Sequence, residues 1–429
     1  MEQFEGNQLA GQLLQEWRRR FHHELFEVAL PFWDRHGVDH ENGGVMCALD
    51  YDGARHNTEK VLWFQGRAIW VYSFLYNHFG QDSRCLEVAR KTKDFVLRYA
   101  VQPDGWFAEK LSREGGILKP FSGDTEGMYF VVEGLQEYAA ATGDSESREL
   151  SFQLFRKLFK DFDSPNFRYR GADFPYLWRT QNAVRPLGLW MVILYIATQM
   201  LRRWDNLEIE AIADRALDAV VNKHYNSEIG LNTEMLYFDF SRPKEEERKS
   251  RFGHCIEALW MAMEEAVRRG DTVLWETCSV RIRRHLDAGW DHIYGGLSQW
   301  INVDQPCYEW PVEDPLGTGL QLRFAGEYEY MKALWALHET LIATLKVFEQ
   351  TGARWAARYF GMAQEVIDEK FSQKARGNPG YMLFADRQMT WQPHAFRQDN
   401  YHPLRQLMLS ILTLDNMTQR GACNGQRES

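Results

Sequence analysis

Along most of the chain, apolar residues recur at i, i+3, i+4 and i+7, the spacing that gathers them on one face of a helix. The periodic segments lie near 8–34, 61–79, 83–100, 124–142, 145–161, 185–205, 207–224, 254–270, 272–289, 325–350, 353–372 and 402–416, which predicts about twelve helices. Gly80, Gly143, Gly270 and Gly352 fall where one helix of a pair turns into the next. Six other short segments echo one another: Asn42-Gly43-Gly44-Val45-Met46, Asp104-Gly105-Trp106-Phe107-Ala108, Tyr169-Arg170-Gly171-Ala172-Asp173, Ile229-Gly230-Leu231-Asn232-Thr233, Tyr294-Gly295-Gly296-Leu297-Ser298 and Asn378-Pro379-Gly380-Tyr381-Met382. Each is a glycine turn leading into a few alternating or aromatic residues, the pattern of a short strand or hairpin.

These turns recur about every 60 residues, with a last interval of about 85, and a period that long marks a repeat architecture. Two helices per unit and turns on one side predict an all-α fold. The expected form is a single closed (α/α)6 barrel with short strands and long loops at one end. An open solenoid is the alternative; neither end of the chain reads as a polar capping repeat, which favours closure. The barrel is expected to span 1–417, followed by a polar, disordered tail over 418–429. The segment 303–326, with Pro306, Pro311 and Pro315, is the longest irregular stretch and reads as a lid or binding loop.

Composition narrows the function classes. The net charge is −10 and no basic stripe occurs, so a nucleic-acid partner is not expected. The cluster from Arg242 to Arg251 mixes both signs and reads as a solvated loop. The first residues form no signal peptide, and no stretch approaches the ~20 apolar residues of a membrane span. Six scattered cysteines without any Cys-x-x-Cys read as reduced thiols of a cytoplasmic protein rather than a disulfide frame or zinc site. No cluster at metal-ligand spacing appears, so neither metal nor cofactor is expected, and a homodimer is compatible with the chain. Sixteen tryptophans supply a large helical core, aromatic platforms for sugar rings, or both.

Candidate chemistry sits at three helix starts. Gly253-His254-Cys255-Ile256-Glu257 and Tyr401-His402-Pro403-Leu404-Arg405 each place a histidine with a charged residue three positions on, on the same helix face. The partial positive charge of a helix N-terminus favours neutral imidazole, the form that accepts a proton. Two such histidines can face one substrate from opposite sides, removing a proton from one face of a carbon and returning it on the other. Trp63-Phe64-Gln65-Gly66-Arg67 opens an otherwise apolar helix. There Arg67 is a costly cation unless an anion faces it, such as a developing oxyanion.

Trp-Phe-Gln-Gly-Arg (63–67), Gly-His-x-Ile-Glu-x-x-Trp (253–260) and Tyr-His-x-x-Arg (401–405), with Gly-Leu-x-x-Glu at 230–234, resemble the signature segments of the N-acylglucosamine 2-epimerase superfamily, over nearly the whole chain. That superfamily includes cellobiose and mannose 2-epimerases and aldose–ketose isomerases of mannose-type sugars. The resemblance implies an (α/α)6 barrel that opens a pyranose and removes the C2 proton, with His254 and His402 as the acid–base pair and Arg67 near the carbonyl oxygen. It implies that Glu257 orients an imidazole or a sugar hydroxyl, and that Glu234 and Arg405 are substrate contacts or supports. Trp63, Gln65 and Trp190 are further expected substrate contacts.

The chain departs from the family at two places. Where relatives carry a tryptophan pair followed by His and Glu, residues 327–332 read Glu-Tyr-Glu-Tyr-Met-Lys, so a stacking platform and an acidic contact are expected to be replaced. Cellobiose- and mannose-type members carry a histidine near 188–192, and Gly188-Leu189-Trp190-Met191-Val192 has none, which is nearer to the N-acylglucosamine branch. His394 ranks below His402, and Glu309, Glu313 and Asp314 read as solvated. The expected activity is sugar 2-epimerisation, with aldose–ketose isomerisation as the alternative. An inverting glycoside hydrolase using Glu234, Glu257 or Asp124 and a non-catalytic binding toroid are the more distant rivals.

Overall fold

The computed structural model describes residues 8–167, 184–244, 246–303 and 331–425. The helices run α1 (14–37), α2 (Leu62–His78), α3 (Ser83–Tyr99), α4 (Glu126–Thr142), α5 (Ser145–Phe162) and α6 (Leu187–Leu201). They continue as α7 (207–223), α8 (Phe252–Arg269), α9 (Thr272–Gly289), α10 (Leu334–Thr351), α11 (354–371) and α12 (His402–Gly425). The even-numbered helices form an inner ring in which each packs against the next and α12 returns to α2; each odd-numbered helix lies outside its partner. The ring is therefore closed, as the repeat predicts.

Sequence decides which helix lies inside. The segment of α6, LGLWMVILYIATQML, has no charged residue and is buried nearly all round. Outer α3, by contrast, buries only Ala89, Thr92, Phe95 and Val96. Inner helices also approach closely: a Cβ on Gly66 of α2 would lie 2.4 Å from the Phe130 carbonyl carbon of α4, so only glycine permits this crossing.

The glycine turns do what their pattern predicts. After each of five outer helices the chain makes a tight hairpin, closed by Val38↔Val45, Val101↔Phe107, Asn226↔Leu231, Trp290↔Leu297 and Ser372↔Tyr381. The turn at 169–173 lies outside the described residues. Whereas the ribbon of Gln8–Leu9 and Gln12–Leu13 leads into outer α1, these hairpins and the later two- and three-stranded ribbons gather at the end where inner helices begin. There, backbone carbonyls of Glu109, Glu234, Gln299 and Leu383 accept the first amides of α2, α6, α8 and α10 (2.8–3.1 Å), taking the place of side-chain caps. Two units share a further device. Asp39-His40-Glu41-Asn42-Gly43-Gly44 and Asp291-His292-Ile293-Tyr294-Gly295-Gly296 each present an aspartate to a buried lysine, Lys60–Asp39 and Lys332–Asp291, both at 2.9 Å. Each lysine also donates to a backbone carbonyl of the following loop, Arg113 or Arg387, at 2.7 Å.

Two boundaries differ from expectation. The helix predicted near 325–350 begins at Leu334, after the strand Lys332–Ala333. The last helix passes Met417 and runs to Gly425 instead of giving way to a tail at 418: Thr418 donates to the Leu414 carbonyl at 2.9 Å and Arg420 reaches Glu349 at 3.6 Å. The expected lid loop lies outside the described residues beyond Val303.

Candidate active site

The first turns of all six inner helices converge on one pocket. Trp63 and Arg67 come from α2, Glu126 and Phe130 from α4, Gly188, Leu189, Met191 and Val192 from α6, His254 and Glu257 from α8, Trp335 from α10 and His402 from α12. Arg251, Gln299, Phe384, Arg397 and Asp399 complete the wall from the preceding loops. Trp335 lies between the two histidines, its ring 5.3 Å from His254 and 5.5 Å from His402.

Both imidazoles are held the same way. His254 Nδ1 donates to Glu234 Oε1 at 2.8 Å, and His402 Nδ1 donates to Glu339 Oε1 at 2.8 Å. A carboxylate on Nδ1 fixes that nitrogen as the protonated one and leaves Nε2 to accept a proton. Glu234 is itself fixed by structural histidines. His224 Nδ1 donates to the Thr233 carbonyl (2.7 Å), and His285 Nε2 accepts the Asn232 amide (2.9 Å) while its Nδ1 donates to the Arg281 carbonyl. Room for His254 comes from Gly188, where a Cβ would sit 2.9 Å from the imidazole Cε1. Burial and the nearby guanidinium groups push His402 down to about 3, which keeps it neutral.

Arg67 is 5% exposed and lies over the rings of Phe130 (4.1 Å), Trp63 (4.6 Å) and Tyr401 (4.6 Å). The loop salt bridge that would make it merely structural is missing among the described residues. Burial lowers its proton affinity, opposed by the field of Asp399, Tyr401 and Glu257. Asp399, whose Oδ1 accepts the Tyr401 and His402 amides, is held near 2 with His402, Arg67 and Arg397 around it, although burial opposes this. Such a site offers a buried cation with unspent donors beside two imidazoles, of which His402 is held neutral.

Several expected contacts move. Gln65 does not face the pocket; its amide accepts the Val45 amide (2.8 Å) and donates to the Val45 carbonyl (2.9 Å), tying down the first glycine turn. Trp190 is fully buried on the outward side of α6, 4.7 Å from Phe162, so α6 presents Leu189, Met191 and Val192 instead. Glu257 orients neither imidazole; it pairs with Arg405, which also reaches Glu339 at 2.7 Å. His394 is exposed and paired with Asp50. A tryptophan, a histidine and an acid, Trp335, His338 and Glu339, open α10, whereas Glu327 to Tyr330 lie outside the described residues. The signal was Trp335-Ala336-Leu337-His338-Glu339, a Trp and a Glu four residues apart on one helix face. Asp399, three residues before His402, was legible as a cap.

Comparison with known proteins bears on this geometry. The sequence profile of N-acylglucosamine 2-epimerase (GlcNAc 2-epimerase) matches residues 43–405. The N-acylglucosamine 2-epimerase of Mus musculus is 26% identical over 387 residues, covering 85% of this chain and 83% of that protein. In fold, the chain is similar to the cellobiose 2-epimerase of Bacillus thermoamylovorans B4167, with TM-score 0.77 and 16% identity over 93% of this chain and 99% of that one. A D-mannose isomerase superimposes with TM-score 0.72 and 13% identity, covering 97% of this chain and 100% of that one.

Proposed function

The chain belongs to the N-acylglucosamine 2-epimerase family and is a carbohydrate enzyme of the isomerase class, and from that premise we propose that it epimerises an N-acylglucosamine-type sugar at C2 without a cofactor. The observation that carries this reading is the pair of carboxylate-held histidines lining one pocket with Arg67. A proton next to a carbonyl is weakly acidic, so its removal needs an unprotonated base in contact with it and a charge to stabilise the enediolate. In the ring-opened sugar, one imidazole Nε2 takes the C2 proton. Negative charge then builds on the carbonyl oxygen, where Arg67 donates hydrogen bonds; the other imidazole, which enters the step with a second proton on its Nε2, gives that proton to the opposite face, and exchange with solvent resets the pair. Trp63 and Glu257 act as substrate contacts, with Arg405 behind Glu257. The apolar wall of Leu189, Met191 and Val192 suits an acyl methyl.

Hydrolysis fits less well. Glu234 and Glu257 are engaged by His254 and Arg405, so two of the three carboxylates proposed for that rival are occupied, and Asp124 gives one oxygen to the Glu126 amide. The four described cysteines, Cys47, Cys85, Cys255 and Cys278, are free thiols, which supports a reducing compartment such as the cytoplasm. Among the described residues no helix is long and apolar enough to cross a membrane.

Proton NMR in D2O tests the reading with N-acetylglucosamine, N-acetylmannosamine, glucose, mannose and cellobiose. Loss of the C2–H signal with formation of the 2-epimer is expected, falling by about 10²- to 10⁴-fold in His254→Asn and in His402→Asn. A ketose product would favour aldose–ketose isomerisation by one histidine. Exchange that survives both substitutions would overturn the assignment.

A further inference from the structure

Below the pocket floor, the barrel axis holds a polar group that the reaction as described does not use. Glu133 of α4 is 1% exposed, and both its oxygens lie 2.9 Å from the Tyr401 hydroxyl. That hydroxyl in turn accepts a hydrogen bond from Arg405 Nη1 at 3.2 Å. The other Arg405 terminal nitrogen serves Glu257 and Glu339, the carboxylate that holds His402. On its far side Glu133 accepts from Gln199 Nε2 (3.4 Å), whose Oε1 takes the Trp70 indole N–H (3.3 Å). A cavity with room for a water molecule runs between Arg67, Glu133, Tyr195, Glu257, Tyr401 and Arg405.

Counting charge gives this arrangement its meaning. Around the axis, α2 contributes Arg67, α4 Glu133, α8 Glu257, α10 Glu339 and α12 Arg405, while α6 adds only neutral Tyr195 and Gln199. With Asp399 and Arg397 from the loop before α12, four carboxylates face three guanidinium groups, and in a medium of low polarity the surplus charge is costly. The cluster therefore holds one proton. Glu257 and Glu339 touch Arg405 directly, whereas Glu133 meets it only through a phenol, so Glu133 is where that proton rests.

We propose that Glu133 is a positioning residue for the epimerisation, acting through Tyr401 and Arg405 to set how readily His402 holds the C2 proton. This inference rests on the proposed function. When Glu133 loses its proton, a negative charge appears beneath Arg405, weakening that guanidinium's hold on Glu339 and steadying the imidazolium formed on His402. Burial raises Glu133 to about 7, so the change falls within the working range.

Two readouts test it. Infrared spectra of the resting protein should show the carbonyl stretch of a buried protonated carboxyl that disappears as pH rises through neutrality and is missing in Glu133→Gln. C2–H exchange should rise about tenfold over the same range, the effect of one unit of proton affinity at His402. Glu133→Gln and Tyr401→Phe, each with a retained melting temperature, should lose that rise while KM changes less than about threefold. If the band is absent from the parent protein, the inference fails whatever the exchange assay shows. A rise that survives in folded Glu133→Gln, or an equal loss of rate at every pH, also overturns it. If no sugar exchanges, it is the proposed function that fails, and the infrared band alone decides the placement of the proton.

Discussion

At the scale of single residues, the site works by fixing which nitrogen of each imidazole is available. Glu234→Gln and Glu339→Gln keep the shape but remove the charge that holds Nδ1–H. Turnover is expected to fall by about 10- to 100-fold in each, with little change in melting temperature for Glu234→Gln and a lower one for Glu339→Gln, whose charge also pairs buried Arg405, checked by C2–H exchange kinetics and thermal unfolding. Arg67→Lys is not conservative here, because a compact ammonium cannot lie flat among Phe130, Trp63 and Tyr401 or offer the same fork of donors. It should cost about 10²-fold in turnover. Gly188→Ala tests the space around His254: a methyl group 2.9 Å from Cε1 must displace the ring, so activity should fall far more than stability. His254, His402 and Arg67 could be picked out from sequence because each opens a helix in a distinctive local run. Glu339 closes a similar run, Trp335 to Glu339, but its pairing with His402 could not be read, because the two are 63 positions apart along the chain and nothing local links them.

Among elements, the inner helices need close backbone contact and the loops need anchoring. Gly66→Ala forces α2 and α4 apart and is expected to destabilise the barrel by about 3 kcal/mol, measured by denaturant unfolding. Lys60→Met and Lys332→Met each take the buried cation from a buried aspartate; the loss should approach about 3–5 kcal/mol at Lys332 and be smaller at Lys60, because Asp39 keeps Arg113 at 3.0 Å while Asp291 keeps only Arg387 at 3.6 Å. Equal losses would mean that Arg113 does not compensate Asp39. The sequence signalled most helices through their period and the hairpins through their glycines. It missed the start of α10 because Lys332–Ala333 pairs with Phe384–Ala385, and that strand cuts short what reads as a continuous helix. It also placed Trp190 in the pocket, since an inner helix that is apolar all round gives no sign of which face meets the cavity and which meets the outer layer.

For the whole molecule, closure buries titratable groups together and makes stability depend on pH. Burial lowers His224 and His285 to about 4 and His338 and His402 to about 3. The folded protein therefore resists protons that the unfolded chain takes up near pH 6.5, so the stability these groups contribute is full above that value and is lost as pH falls. Glu133, raised to about 7, acts in the opposite sense but is outnumbered in this range. The melting temperature should drop between pH 7 and 5, each histidine contributing on the order of 1 kcal/mol, and His285→Gln should flatten the slope. A flat profile would mean these imidazoles are charged in the fold. The sequence by itself determined the repeat, the closed barrel, the end at which the hairpins gather and the helices that carry the two histidines and Arg67. These follow from local periodicity, turn chemistry and side-chain type, which are written over a few neighbouring residues. Only the tertiary structure decided that Glu234 and Glu339 hold the imidazoles, that Trp335 stands between them and that Glu133 lies beneath them. Those partners come from different turns of the ring, and distance and burial between them exist only once the ring has closed.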